Sequence, residues 1–144
     1  NKKKIIIVGN GGSAAIASHF SVDITKNGNI RCINFNESDL LTCFANDYGY
    51  ENWVKHALNF YSDMGDLVIL ISSSGNSMNM LNAAKFLKNK KNSLITFTGF
   101  GKKNKLSKFG KINFIVDSKN YNHIENTHQY WLLTVVDLLS KYKI

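Results

Sequence analysis

Proline is absent from this sequence, arginine occurs once, and cysteine occurs only twice, at Cys32 and Cys43. Two cysteines without a repeating spacing exclude a disulfide framework or a cysteine-based metal knuckle, so both are predicted to be buried, small side chains. No apolar run approaches the length that crosses a bilayer, and the start has no secretory pattern, so we expect a soluble cytoplasmic protein without a membrane partner. The 144 residues contain no linker or low-complexity tract, and they are enough for one compact domain.

Acidic residues are also scarce, with 10 against 18 lysines and arginines, which leaves a formal charge of +8. Lysines supply nearly all of it, since Arg31 is the only arginine, and they cluster at residues 2–4, 88–91 and 102–108. These clusters lack interleaved arginine and a stacking-aromatic motif, which argues against a nucleic-acid partner. Solvated lysine surfaces and a bias toward anionic ligands explain the charge better.

Short buried strands alternate with helical patterns along the chain. Apolar and β-branched runs predict five strands, at residues 5–8 and in IRCINF, DLVILIS, SLITFTG and INFIVD. Helical spacing predicts helices at about residues 13–26, 78–90 and 124–142 and in SDLLTCFAND and YENWVKHALNFYSD, with Ser13 as the N-cap of the first. This alternation is typical of an α/β fold, and we expect a three-layer α/β/α sandwich with a five-stranded parallel sheet.

Two polar loops, GNGGS at residues 9–13 and SSSGNS at residues 72–77, each follow a predicted strand and open a helix. Ligands of open parallel sheets bind beyond such strand ends. Gly9, Gly11 and Ala14 fit the G-x-G-x-x-A pattern of dinucleotide sites, but the second strand ends in neutral residues and Glu37 comes slightly late for the acidic residue of that site. A triphosphate-binding loop is excluded, since the lysine that it requires is absent.

The serine loop suits a phosphate group. It presents four hydroxyls beside the N–H groups that open the next helix, and together these would bind a phosphate dianion without an arginine. A serine-rich turn that only caps the helix is the simpler alternative. Because two such loops occur at strand ends, we expect the serine loop to hold a phosphate and GNGGS to face a polyol.

Longer motifs resemble a known family. GNGGSAA followed by HF, LTCFANDYGYE, GDLVILISSSGNS and a closing helix introduced by HIENTH occur in the order found in SIS (sugar isomerase) domains, and among these the chain resembles the phosphoheptose isomerases. The resemblance covers nearly the whole chain, which we interpret as a single SIS domain over residues 1–144 without the helix that family members carry before the first strand. It implies the α/β/α fold, a homodimer or homotetramer with sites between subunits, and aldose–ketose isomerisation of sedoheptulose 7-phosphate for surface polysaccharides.

The resemblance also implies roles for particular residues. The phosphate contacts fall on Ser72, Ser73, Ser74 and Ser77, and the sugar contacts fall on Asn10, Gly11, Ser13 and Asp47. Isomerisation needs a positioned base and an acid, and the family uses a glutamate and a histidine, with zinc in some members and a glutamine as a further ligand. Here Asp23 stands at the glutamate position, Glu125 at the glutamine position and Leu133 at the histidine position.

These replacements leave two functions open. In the first, the chain is a sugar-phosphate isomerase in which Asp23 or Glu125 removes the proton and His128 or a metal-bound water returns it, with His19, Asp23 and Glu125 as possible zinc ligands. A polar residue near a helix start is the simpler interpretation of His128. In the second, the domain binds a phosphosugar or a protein without catalysis, as the bacterial replication-initiator-associating relative does. The retained carboxylates favour the enzyme.

The final helix is apolar nearly all the way round, with Trp131, Leu132, Leu133, Val135, Val136, Leu138 and Leu139. One sheet face covers only part of such a helix. We therefore expect a homo-oligomer packed through this helix, and the alternative is that helices preceding residue 1 in the same protein cover it.

Overall fold

A computed structural model describes residues 3–101 and 104–142. The strands β1 to β5 span Ile5–Gly9, Cys32–Ile33, Leu67–Ser72, Ser93–Thr98 and Ile112–Ile115. The helices α1 to α5 span Gly12–Lys26, Ser38–Tyr48, Trp53–Tyr61, Met78–Leu87 and Tyr121–Tyr142, and a short 3₁₀ turn, Leu106–Lys108, precedes β5. The predicted order of elements is confirmed.

The five strands form one parallel sheet in the order β2-β1-β3-β4-β5. β1 and β3 pair in register from Ile5 opposite Leu67 to Gly9 opposite Ile71. The chain runs outward from β1 to β2 on one side and resumes at β3 on the other, so the direction of winding changes between β1 and β3. Open α/β sheets bind their ligands beyond the strand ends at such a point. Both polar loops begin there.

The sheet separates two apolar layers, because alternate side chains of each strand point to opposite faces. One face, which includes Ile6 and Leu70, packs against α3 and α4. The other face, which includes Ile7 and Ile71, packs against α1 and α5. The expected α/β/α sandwich is confirmed, and burial on both faces explains why the strands are continuous apolar runs.

Several element boundaries differ from the prediction. Helix α1 begins at Gly12, after Gly11 has turned the chain with a φ of 54°, so Ser13 lies inside the helix and is buried rather than capping it. Strand β2 is only Cys32–Ile33, because it lies at the sheet edge and pairs with β1 alone. Helix α5 begins at Tyr121, three residues earlier than predicted. These shifts change which side chains face the strand ends.

The prediction of two buried cysteines is wrong for Cys43, which is exposed on α2. This helix has no fully buried residue, since it lies on α3 at the margin of the apolar layer. Cys32 is half-buried, and burial raises the pKa of its thiol to about 12. A thiol with that pKa stays protonated at neutral pH and is a poor nucleophile.

Helix α5 is incompletely covered along its length. Leu132 and Val136 are buried against the sheet, whereas Val135 and Leu138 are 42% and 49% exposed. An apolar groove lies between α5, α1 and the sheet, with Val135 of α5 and Phe114 of β5 among its lining residues. None of the helices in the described part of the chain is long and apolar enough to cross a membrane.

A buried ion pair joins the starts of β1 and β3. Lys4 Nζ lies 2.7 Å from Oδ2 of Asp66, whose side chain is fully buried, and 2.7 Å from Oδ2 of the exposed Asp63. The backbone N–H groups of Lys4 and Asp63 also donate to the Asp66 carboxylate. Burial alone would raise the pKa of Asp66, but the donors of Lys4 and Asp63 outweigh it and lower that pKa below its usual value.

Two glycines with positive φ shape the loops at the other end of these strands. Gly11 has a φ of 54° and Gly75 a φ of 62°. A Cβ at Gly11 would enter open space, whereas one at Gly75 would overlap the side chain of Asn104. Asn104 is buried and donates to Thr98 Oγ1 at 3.0 Å, and the Gly75 carbonyl accepts from Leu106 N at 2.9 Å. The serine loop therefore rests against the segment that follows β4.

We expect Asp66→Asn to lower the free energy of unfolding by about 3 kcal/mol at pH 7, because it leaves a partly buried ammonium without its buried partner. Asp63→Asn, which removes an exposed partner at the same distance, is the control and should cost less than about 1 kcal/mol. Urea denaturation measures both. Equal stability of Asp66→Asn and the wild type at pH 7 would contradict the role of the pair.

The same variant tests the pH dependence of unfolding. Because the pKa of Asp66 is lower in the folded chain, its stabilisation is complete above the unfolded value, about 4, and is lost as pH falls through the folded value. The wild type and Asp66→Asn should therefore converge in stability below about pH 4.

Gly75→Ala and Gly11→Ala form a second matched pair. Both place a methyl group on left-handed backbone, at a cost of about 1–2 kcal/mol, but only Gly75→Ala must also displace Asn104. Thermal unfolding should show a clearly larger loss for Gly75→Ala. Equal losses would show that Asn104 moves aside at no cost.

Candidate active site

A polar cleft opens where β1 and β3 end. Its lining comes from the two loops, the last residue pair of β3 and the start of α5, namely Asn10, Ser13, Ile71, Ser72, Ser73, Ser74, Ser77, Tyr121 and Glu125. The cavity measures about 130 Å³, several times the roughly 30 Å³ share of one water and below the ~300 Å³ of a site that encloses a whole drug-sized ligand. It suits a phosphate-sized group with the remainder of the ligand extending outward.

The four predicted phosphate serines lie together in this cleft. Ser72 Oγ donates to Ser77 Oγ at 3.3 Å, and Ser74 Oγ accepts from the backbone N–H of Asn76 at 3.2 Å. Ser73 is 6% exposed, and its Oγ hydrogen-bonds to no group of the described residues. An unpaired buried hydroxyl costs free energy. A ligand oxygen in the cleft would give it a partner.

No lysine or arginine lines the cleft among the residues that the structure describes. The positive field instead comes from the start of α4, a helix of 10 residues that begins at Met78 directly after Ser77. Free N–H groups at a helix start bind phosphate groups in many folds. The lysine content predicts a preference for anionic ligands, but none of the described residues that line this cleft is a lysine or arginine.

Asn10, predicted to contact the sugar, is held by a residue that the sequence analysis missed. Its amide nitrogen donates to Asn79 Oδ1 at 3.0 Å, and the Asn79 amide donates back to Asn10 Oδ1 at 2.8 Å. The Tyr50 hydroxyl donates to the same oxygen at 3.3 Å. Asn79 is 2% exposed on α4, so the pair ties the GNGGS loop to the helix that follows the serine loop.

Among the residues that the structure describes, Glu125 is the only carboxylate on the cleft lining. Its carboxylate lies against Gly12, the first residue of α1, where a Cβ would overlap the carboxylate oxygens. The Glu125 carboxylate can lie there because Gly12 has no side chain. It therefore lies next to the N-terminus of α1, on the wall of the same cleft that the serine loop lines.

The prediction that His128 returns the proton is wrong. His128 is fully buried, and its Nε2–H donates to the Thr98 carbonyl at 3.0 Å. Its ring packs against Phe97 and Trp131, with centroids 5.6 and 6.2 Å away. Burial lowers the pKa of His128, although the Thr98 hydrogen bond partly opposes this. A neutral imidazole outside the cleft fastens α5 to the end of β4 and cannot reach a ligand.

The predicted metal ligands do not assemble. His19 Nε2 and Asp23 Oδ2 lie 3.4 Å apart on α1 with side chains 50% and 32% exposed, whereas Glu125 lies at the beginning of that helix. Within residues 3–101 and 104–142, no three His, Cys, Asp or Glu side chains are grouped so that they could hold a metal ion. The residues of one chain do not fit the zinc that the resemblance implies.

Gly11 and Asp47 do not line the cleft. Gly11 is exposed before α1, and Asp47 is exposed on α2, where it accepts from Asn46 Nδ2 at 2.9 Å and contacts Cys43 Sγ at 3.7 Å. Asp23 also lies outside the lining, and the half-buried Leu133 offers no polar atom. The substrate roles of Gly11 and Asp47 stay predictions.

Tyr121 lines the cleft and was not predicted. It is the first residue of α5, one helical turn before Glu125 on the same face. Because the sequence pattern placed the start of this helix at about residue 124, the helical relation between Tyr121 and Glu125 was not visible.

The chain is similar to known proteins over most of its length. The model of the SIS domain family matches residues 40–130. The phosphoheptose isomerase of Aliarcobacter butzleri is 34% identical in an alignment that covers 96% of this chain and 76% of that relative. The phosphoheptose isomerase of Buchnera aphidicola is 36% identical over 69% of this chain and 54% of that relative.

The fold is also similar to that of a solved phosphoheptose isomerase structure. The phosphoheptose isomerase of Neisseria gonorrhoeae superposes with a TM-score of 0.90 at 27% identity, covering 98% of this chain and 78% of that one. The chain thus spans between about half and three quarters of the length of these relatives. It belongs to the SIS domain family.

Proposed function

We propose that this chain is an aldose–ketose isomerase of a phosphorylated sugar, as the resemblance to phosphoheptose isomerases implies, with sedoheptulose 7-phosphate as the substrate to test. One observation carries the proposal: a single cleft combines an uncharged phosphate cradle with one carboxylate, Glu125. Relatives named phosphoheptose isomerase at 34% and 36% identity support it.

The phosphate binds at the serine loop. Its oxygens accept from the unpaired Ser73 hydroxyl, from Ser72 and Ser77, and from the N–H groups at the start of α4. The negative charge of the phosphate is compensated by hydrogen bonds and by the dipole of α4 rather than by an ion pair. This fixes one end of the sugar and directs the rest toward the GNGGS loop and Glu125.

Glu125 then moves a proton between adjacent carbons. In the ketose-to-aldose direction its carboxylate removes a proton from C1, and the resulting enediol receives that proton at C2. Because the two carbons are only about 1.5 Å apart, one carboxylate reaches both. Asp23 remains the alternative base, but it does not line the cleft of this chain.

Binding without turnover is the second function to test. It is favoured by the burial of His128 and by Leu133, because neither residue supplies a proton donor to the cleft. Such a domain would bind the phosphosugar without converting it, and the bound state would be recognised by a protein partner. The phosphate cradle serves both functions, so only a measurement of turnover separates them.

We also propose that copies of the chain associate through α5. Val135 and Leu138 are exposed on that helix, and the groove beside it is almost entirely apolar. Exposed apolar surfaces of this kind mark interaction sites. A homodimer or homotetramer, the assembly that the resemblance implies, would cover them.

Ser73→Ala should weaken phosphate binding while leaving the folded chain equally or more stable. Loss of one hydrogen bond to a charged group costs about 1.5–3 kcal/mol, or roughly ten- to a hundredfold in affinity. Without ligand, the variant removes an unpaired buried hydroxyl, so its unfolding temperature should not fall. Isothermal titration with sedoheptulose 7-phosphate measures the affinity, and Ser93→Ala, at the opposite end of the sheet, is the control. Unchanged affinity would contradict the cradle.

Glu125→Gln should reduce turnover of sedoheptulose 7-phosphate by about 10²–10⁴-fold while retaining affinity, because an amide cannot accept the carbon-bound proton. Asp23→Asn is the matched control and should keep most of the activity. Conversion is followed by NMR of the sugar carbons. An inactive Asp23→Asn beside an active Glu125→Gln would identify Asp23 as the base. Tight binding by an inactive wild type would identify the second function.

A further inference from the structure

Tyr121 is a cleft residue without a role in the proposed reaction. Its side chain is 55% exposed, yet it lines the same cavity as Glu125 and the serine loop. Tyr121 and Glu125 lie at i and i+4 of α5, so both project from one face of the helix. The phenolic hydroxyl both donates and accepts a hydrogen bond.

The isomerisation needs a second group that handles protons. While Glu125 transfers a proton between carbons, the carbonyl oxygen must gain a proton and the neighbouring hydroxyl must lose one. In the proposed function the hydroxyls of the serine loop hold the phosphate, and His128 is buried with its Nε2–H donating to the Thr98 carbonyl. Apart from Glu125, Tyr121 is the only side chain more acidic than an alcohol among the described residues that line the cleft.

The aromatic ring of Phe100 supports the side chain of Tyr121. The centroids of the Phe100 and Tyr121 rings are 4.8 Å apart. Phe100 has a φ of 54°, which is unusual for a bulky residue, and its N–H donates to the Ser118 carbonyl at 2.9 Å. The preceding residue, Gly99, donates to the Ser73 carbonyl at 2.8 Å. One short segment therefore supports both Tyr121 and the serine loop, and strained backbone of this kind is concentrated at functional sites.

We propose that Tyr121 is a further catalytic residue, which moves the oxygen-bound proton while Glu125 moves the carbon-bound one. As Glu125 takes a proton from C1, the C1–H electron pair forms the C1–C2 double bond, and the C2 oxygen takes the phenolic proton. The phenolate then removes the proton of the C1 hydroxyl as Glu125 returns its proton to C2. Both side chains end in their starting forms, and no other reactant is consumed. This step rests on the proposed isomerase function.

Tyr121→Phe removes the hydroxyl and keeps the ring against Phe100. We expect kcat for sedoheptulose 7-phosphate to fall by about a hundredfold or more, with affinity changed less than threefold. The control is Tyr130→Phe, on the same helix, 72% exposed and outside the cleft lining, which should leave kcat and affinity unchanged.

Three results would overturn the assignment. An unchanged kcat in Tyr121→Phe would show that the hydroxyl takes no part, and a loss of affinity at constant kcat would make Tyr121 a binding residue only. An equal loss in Tyr130→Phe would show an effect on the helix as a whole. The two proposals fail separately: a wild type without turnover removes the isomerase function, whereas an active wild type with an equally active Tyr121→Phe removes only the role of Tyr121.

Discussion

The in-register pairing of β1 with β3 is the constraint on which the site depends. Because Gly9 lies opposite Ile71, the two polar loops leave the sheet at the same height and meet over one cleft. At the other end, Lys4 and the buried Asp66 fasten the same two strands together. A shift of one residue in this register would reverse the faces of the side chains and separate the serine loop from GNGGS.

In the proposed function, hydroxyls and a helix dipole recognise the phosphate, although the chain is rich in lysine. Lys88, Lys90 and Lys111 border a cleft beside the starts of β4 and β5, at the end of the sheet opposite the serine loop. The cleft with the serines instead offers hydroxyls, a helix start and one carboxylate. Glu125 is the only carboxylate, and no lysine or arginine occurs, among the described residues that line this cleft, so neutral groups make all the proposed phosphate contacts.

The order of strands and helices and the meeting of the four serines in one cleft could be predicted, because they rest on local patterns: apolar runs, glycine turns and serines at a strand end. The burial of His128 could not be predicted from the sequence. It depends on Phe97, more than 30 residues away in the sequence, and on the packing of α5 against β4. The exposure of Cys43 likewise depends on where α2 lies rather than on its own pattern. Tyr121 was missed because a helix boundary was displaced by three residues.

Through the contact between Gly75 and Asn104, the proposed phosphate cradle rests on the connection between β4 and β5. Asn104 belongs to that connection, and connections tolerate insertion and deletion better than the strands they join. A change of length there would alter the contact between Asn104 and Gly75 without changing any serine. The proposed anion site is thus coupled to a residue that does not line its cleft.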